Sequence, residues 1–414
     1  MTRSAFSVLL LLVVAGLAPA QEWARFRGPN GSGISDAKTV PVAFGENDIN
    51  WKVKLPGVGN SSPIAWGDHV YVTSATDDPP MRTLSCLDAK SGAVRWRREV
   101  PFESYKKHKN NSFASNTPCA DADHVYVLWQ SKSDSPLVAF NHDGEEVWRY
   151  DLGPYNHGQG GGTSPIVYDN LVIVCNDHSQ GSFLLALDRC TGKEVWKVPR
   201  QGKRACYATP CIYQAGDRPA EIIFSHCFEG VSGVDPQTGR QNWSIHVFGD
   251  FPQRAVGSPF IIDDLVVSNS GALVADKNLV AVRPHADGDG VRVEEVYRLT
   301  RGAPHVPSAI AYRGLLFAWN DQGIVTCLDA RDGGQIWQKR VGGNYFSSPI
   351  CIDGKLYCVD VDGTVVVIAA SDQYEELARN PLGEPSMATP AVSGGTLFVR
   401  TESQLFSIGG PERE

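Results

Sequence analysis

Several signatures of chemistry are missing from this sequence. Its 414 residues contain no C-x-x-C, H-x-H, H-E-x-x-H or G-x-S-x-G. A zinc ribbon, a thioredoxin-type dithiol, a zincin helix and a serine nucleophile elbow are therefore not expected. Cationic charge is also short: 38 Lys and Arg face 46 Asp and Glu, a formal net charge of −8. Nucleic acid and anionic membranes both demand a cationic face, so neither is an expected partner. Beyond residue 20 there is no long apolar run, hence no candidate transmembrane segment. No long amphipathic helix is visible, and Met occurs only three times.

What is present points to β structure. Gly (41) and Pro (26) suit a turn-dense chain, and 42% apolar residues supply a large core. The first twenty residues read as an address. Arg3 precedes the apolar run Val8 to Leu17, and Ala18-Pro19-Ala20 offers small residues for cleavage near Ala20. The expectation is a signal peptide over 1–20, with the rest exported to the periplasm or secreted. No Cys follows the cleavage point, so no lipid anchor is expected there. The ten Cys (86, 119, 175, 190, 206, 211, 227, 327, 351, 358) do not form a disulfide framework by spacing. Cys119 and Cys211 each follow Thr-Pro, and Cys86 and Cys327 share a repeat position. They read as small buried hydrophobes.

One unit recurs along the chain. A small hydroxyl residue before Pro opens it at Ser62, Thr117, Ser164, Thr209, Ser258, Ser348 and Thr389, with Ser308 in register as a variant. Each anchor leads into short alternating apolar strands such as Val70-Tyr71-Val72 and Leu356-Tyr357-Cys358-Val359, separated by Gly, Asp and Asn turns. The last turn is the most regular. Asp88, Gly92 and Trp96 sit at offsets 0, 4 and 8, as do Asp188, Gly192 and Trp196, Asp235, Gly239 and Trp243, and Asp329, Gly333 and Trp337. Asn141, Gly144 and Trp148 form a copy one residue shorter. The fifth and seventh units lack Trp and carry Tyr297 and Leu377 nearby. Asp or Asn closes the turn on its own backbone, Gly accepts positive φ, and Trp buries against the next unit.

Four strands in each of eight units predict an all-β, eight-bladed β-propeller of antiparallel blades over 48–410, preceded by an N-terminal strap over 21–47. The last unit has three strands. Its missing Trp strand stands at the other end, as Ile49 to Leu55 with Trp51, and would complete the last blade and close the ring. A pair of β-sandwiches does not explain so regular a repeat.

The turn resembles the pyrroloquinoline-quinone (PQQ)-type propeller repeat, D-A-x-[ST]-G-x-x-x-W, most closely at Asp88 to Trp96 and Asp188 to Trp196. The resemblance covers nearly all of the chain beyond the leader. It implies a fold and leaves two branches open: quinoprotein dehydrogenases, and non-catalytic propellers such as the lipoprotein of the outer-membrane β-barrel assembly machinery. Trp23-Ala24-Arg25-Phe26-Arg27-Gly28-Pro29 is also similar to the start of exported PQQ-like proteins of Planctomycetes-type bacteria. In the dehydrogenase branch a Glu/Asn/Asp set holds PQQ with Ca²⁺, a further Asp acts as base, and many members carry a disulfide between adjacent Cys. This chain has no Cys-Cys and is shorter, and no residue matches the metal set by motif. Asp360-Val361-Asp362-Gly363 and Asp287-Gly288-Asp289-Gly290 resemble pieces of a calcium loop, but strand-like residues follow both and tight turns explain them. No catalytic or metal residue is assigned.

A propeller binds through the loops that enter each blade. Their polar members here are Asn60, Asn116, Gln159, Arg204, Arg254, His305 and Asn344, with Tyr345. Two Arg and a His around one funnel suit an anion or an acidic peptide. The run Lys106-Lys107-His108-Lys109, in the longest connection, reads as a solvated loop or a partner-binding one. His157 stands in a Gly-rich loop. The leading expectation is an exported binding or interaction scaffold for a protein or a saccharide-like ligand, with no cofactor. A PQQ- and calcium-dependent oxidoreductase is the alternative, and a subunit docked on a membrane complex is a third. A funnel closed by side chains marks the binder. Carboxylates and an Asn over a flat aromatic mark the enzyme.

Overall fold

The computed structural model describes residues 23–411 except 203, 217, 250–252, 273–274 and 289. The expected leader, and Asp289 of the second acidic turn, lie outside them. Eight sheets of antiparallel blades follow one another around a ring, the strands of the first seven running outward in chain order. Blade one, for example, holds Ile64–Trp66, His69–Asp77, Pro80–Asp88 and Val94–Pro101. The eighth blade takes Ala391–Ser393, Thr396–Arg400 and Gln404–Ile408 from the end of the chain. Its outer strand is Ile49–Lys54, antiparallel to Gln404–Ile408. Among the described residues no helix is long and apolar enough to cross a membrane.

The core lies between blades. Tyr71 and Cys86 of blade one pack with Val125, Val127, Trp129 and Phe140 of blade two, and comparable clusters fill the other gaps. The Trp turn joins one blade to the next. Trp51 lies on Gly92, Trp96 on Gly144, Trp148 on Gly192 and Trp196 on Gly239, each glycine with φ near +70° to +83°. A methyl group at Gly92 would stand 2.6 Å from the Trp51 ring. Glycine is thus required twice, by φ and by the close approach of the indole. Each Nε1–H also donates to the carbonyl just after the turn Asp or Asn: Trp51 to Ala89 at 3.0 Å, Trp148 to Arg189 at 2.9 Å. Tyr297 does the same work in blade five, its ring on Gly333 and its hydroxyl donating to Ala330. Trp243 departs from the pattern and donates to Glu221 of its own blade. Blade five presents the long hairpin Ala275–Asp287 and Gly290–Leu299 there, without the Asp-to-Gly turn.

The residue opposite each Trp is small. Cys86 pairs with Trp96, Cys327 with Trp337, Ala139 with Trp148 and Ala186 with Trp196. Cysteine here takes a position that other blades give to alanine.

Toward the axis, the Ser/Thr anchors form a belt. The backbone N–H of seven of the eight anchors donates to the hydroxyl of the next: Ser62 to Thr117, Thr117 to Ser164, Thr209 to Ser258, Ser258 to Ser308, Ser308 to Ser348, Ser348 to Thr389 and Thr389 to Ser62. These bonds run from 2.8 to 3.2 Å. Ser308 belongs to the belt although no Pro follows it.

Candidate functional site

The N-terminal segment crosses the channel. The carbonyl of Trp23 accepts from Ala65 of blade one and that of Ala24 from Ala120 of blade two. Arg25 donates to Pro210, Asn30 to Ile212 and Arg27 to Ala309. Ile34–Ser35 adds a parallel strand to the inner edge of Ile350–Ile352. Inner strands of blades on all sides are thereby tied to one segment. Trp23, Arg25 and Arg27 are buried in it. Burial pushes the Arg27 guanidinium down to about 9, with Arg25 adding repulsion.

Above this plug a cavity of about 390 Å³ opens on the loop face. Phe26 lines it from the plug side, and all eight belt residues surround it. The wall adds Tyr207, Phe346, Met387, Val256 and Val306, with polar groups of Asn60, Gln159, Arg254, His305, His108, Asn110 and Asn111. The long connection after blade one folds over the mouth. Phe102 and Tyr105 pack on Phe113, with ring centroids 4.9 and 5.0 Å away, and this places His108, Asn110 and Asn111 at the cavity.

Asn60, Gln159, Arg254 and His305 of the expected rim come together here. Asn116, Arg204, Asn344 and Tyr345 do not line the cavity. Asn116 is buried between blades, donating to the Thr163 carbonyl at 2.6 Å and to Gln130. Tyr345 packs edge-on against Trp319 at 5.1 Å, inside the wall. Its neighbour Phe346 takes the cavity side, because consecutive extended residues face opposite ways. Asn344 is exposed, its carbonyl bonded to Val361. Arg204 is half-buried, in the same connection as Tyr207. The sequence reading missed Phe26, Tyr207 and Phe346, and saw the belt residues only as repeat markers. The acidic turn at Asp360 is a hairpin turn, its carboxylate accepting from the Thr364 N–H at 2.7 Å.

The electrostatics are one-sided. No Asp or Glu lines the cavity among the described residues. The nearby Asp321 already accepts from the His305 and Val306 N–H groups and from Lys277. Arg254 lies 3.4 Å from Nε2 of His157, whose Nδ1 is 3.3 Å from the Tyr207 hydroxyl. Nε of Arg254 and both ring nitrogens of His305 are buried without a partner among the described residues. Burial, then Arg254 and Arg204, pushes His157 down to about 4. Burial likewise pushes His305 down to about 4, against the pull of Asp321.

These shifts give the fold a pH dependence. An imidazole whose folded value is lowered is neutral when folded, while the unfolded chain takes up its proton first as pH falls below about 6.5. The contribution of these two imidazoles is complete above that value and drains toward pH 4. His305 alone is expected to account for about 2 kcal/mol of the loss. Thermal melts between pH 7 and 4.5 should show a steeper fall for the natural chain than for His305→Gln. Parallel profiles would refute the assignment.

A closed ring of eight four-stranded blades, with Trp turns between them and a central loop-face cavity, defines a PQQ-like repeat propeller. The chain belongs to the family described as outer membrane protein assembly factor BamB, whose sequence profile matches residues 37–213, 80–287 and 288–408. Outer membrane protein assembly factor BamB of Yersinia pestis is 19% identical over 319 residues, spanning 76% of this chain and 66% of that protein. The crystal structure of BamB from Moraxella catarrhalis superposes with a TM-score of 0.61 at 13% identity, covering 88% of this chain and 99% of that one. A europium-containing methanol dehydrogenase superposes with a TM-score of 0.66 at 12% identity, covering 94% and 91%. At such identities the superpositions show the shared fold alone.

Proposed function

We propose that this chain is an exported, non-catalytic binding module whose funnel receives an acidic segment of a partner protein. One observation carries the reading: buried donors on Arg254 and His305 lack partners, in a cavity that no described carboxylate lines. A carboxylate entering there meets donors already desolvated, beside apolar wall supplied by Phe26, Tyr207 and Phe346. The family relationship supports a protein partner over a small substrate. The leader-like residues 1–20 support export.

The donor set does not suit PQQ held with calcium. Calcium takes six to eight oxygen ligands, carboxylates prominent among them. The described lining offers amides, hydroxyls, imidazoles and a guanidinium. Phe26 is flat and aromatic, yet two buried arginines flank it in sequence where the quinoprotein reading wants carboxylates.

Calorimetric titration with an acidic hexapeptide of Asp and Glu, its Lys-rich counterpart and trigalacturonate tests the reading. Saturable binding of the acidic peptide, weakening with salt, is expected. Preference for trigalacturonate would move the ligand to acidic saccharides. Tight binding of PQQ with Ca²⁺ followed by dye reduction would replace the proposal with an oxidoreductase.

A further inference from the structure

Two of the ten cysteines meet. Sγ of Cys206 lies 3.5 Å from Sγ of Cys227, and the Cys227 N–H donates to the Cys206 sulfur at 3.4 Å. No other sulfur–sulfur contact is recorded among the described residues. Cys206 stands in the connection that enters blade four, five residues before the strand Cys211–Tyr213. Cys227 stands in the hairpin between Glu221–His226 and Gly230–Val234. Both are buried, with Ala208 and Ala255, in a small cluster separate from the cores between blades. The other cysteines sit in those cores or, for Cys190, at the surface.

His226 completes a trio whose potential ligand atoms lie within 4.8 Å of one another. Its nitrogens are occupied. Nδ1 accepts N–H bonds from Phe228 at 3.1 Å and Glu229 at 3.3 Å, and Nε2 faces the Arg204 carbonyl at 3.2 Å. An imidazole that accepts at Nδ1 and donates at Nε2 has no lone pair for a metal. Two thiols alone fall short of the four ligands of a structural zinc site. Two sulfurs in contact need only close the remaining gap to the ~2.05 Å of a disulfide.

We propose that Cys206 and Cys227 form a disulfide as the chain folds outside the cytosol. The proposal rests on the export reading of the leader, because such bonds persist in oxidising compartments. One cysteine, as thiolate, attacks the disulfide of an exported thiol oxidase and forms a mixed disulfide. The second then displaces the oxidase sulfur. Two electrons and two protons leave the chain, and the oxidase ends as a dithiol. In the folded chain burial raises the Cys206 thiol well above its ordinary value. The exchange therefore belongs to folding, before the connection closes. Once made, the bond ties the segment bearing Tyr207 to the hairpin of blade four. Tyr207 lines the funnel, and its N–H donates to the Ala255 carbonyl beside Arg254. The staple thus holds one wall of the site.

The test uses the full chain with its leader, recovered from the exported fraction and alkylated in denaturant without reductant. Cleavage after Tyr207 and after Glu221 separates the two cysteines from each other and from Cys211. The expected result is a linked pair of peptides that parts on reduction, and a melting temperature that falls by about 4 °C when the folded protein is reduced. Alkylation of both cysteines in a chain whose leader has been removed would overturn the proposal. So would an equimolar zinc content with both thiols labelled after chelation. If the leader remains uncut, export has failed separately. The chain is then refolded in a glutathione redox buffer, where linkage of Cys206 to Cys227 supports the proposal and labelling of both overturns it.

Discussion

Trp51→Ala is expected to lower the stability of the ring by about 3–5 kcal/mol. Trp51 sits on the strand Ile49–Lys54, which comes from the start of the chain and completes the last blade. Its indole lies on Gly92 of blade one, its Nε1–H donates to the Ala89 carbonyl, and its ring stands 5.9 Å from Phe398. The substitution removes a large buried side chain and strips Ala89 of its donor at the seam where the circle closes. Gly92→Ala attacks the same contact from the other side, through positive φ and a methyl group 2.6 Å from the indole. The double variant discriminates. Once the indole is gone the methyl clash is gone, so the combined loss should fall short of the sum by at least about 1 kcal/mol. Denaturant unfolding of the four chains measures this. Additive losses, or a Trp51→Ala loss under about 1 kcal/mol, would show that the seam is held by the backbone ladder to Gln404–Ile408 instead.

The architecture was legible because it is written at fixed offsets. Each Asp-to-Gly-to-Trp turn states a φ, a close approach and a buried ring, and repetition makes the statement redundant. Trp51, far from the other copies, was assigned to the last blade by the strand that blade lacked. The anchor hydroxyls were equally visible as a period, although their role required the ring: the Ser308 hydroxyl matters because the Ser258 N–H, 50 residues away in sequence, reaches it. The site was less legible. Whether Tyr345 or Phe346 faces the funnel depends on one residue of phase after two glycines with positive φ, Gly342 and Gly343. Asn116 looks like a rim amide until Thr163 of the next connection arrives to accept its N–H. Phe26 belongs to a segment without a period, and its place under the funnel is set by contacts with strands hundreds of residues away, such as Arg27 to Ala309. Cys206 and Cys227 meet only because a hairpin turn and a blade connection converge. Periodic features report the blades, while the site is made of aperiodic segments whose positions the blades impose.

Arg254→Glu is expected to weaken binding of the acidic peptide at least 100-fold, about 3 kcal/mol. With His157 and His305 both held near 4, neither is cationic at pH 7, and Arg254 is then the fixed positive charge on the described lining. Reversing it turns attraction into repulsion at short range, beside a partly apolar wall. Arg254→Lys keeps the charge but gives up the planar fork, and an intermediate loss of about tenfold is expected. The fold should tolerate both. The segment is held by its backbone, with the Arg254 N–H donating to Gly271 at 2.8 Å and the Gly271 N–H returning at 3.0 Å. Equal melting temperatures at pH 7.5 therefore accompany the loss of binding. Raising salt from 50 to 500 mM should weaken the natural chain markedly and Arg254→Lys likewise, while Arg254→Glu shows no such attraction to screen. An acidic peptide that binds Arg254→Glu as tightly as the natural chain would place the recognition outside this funnel.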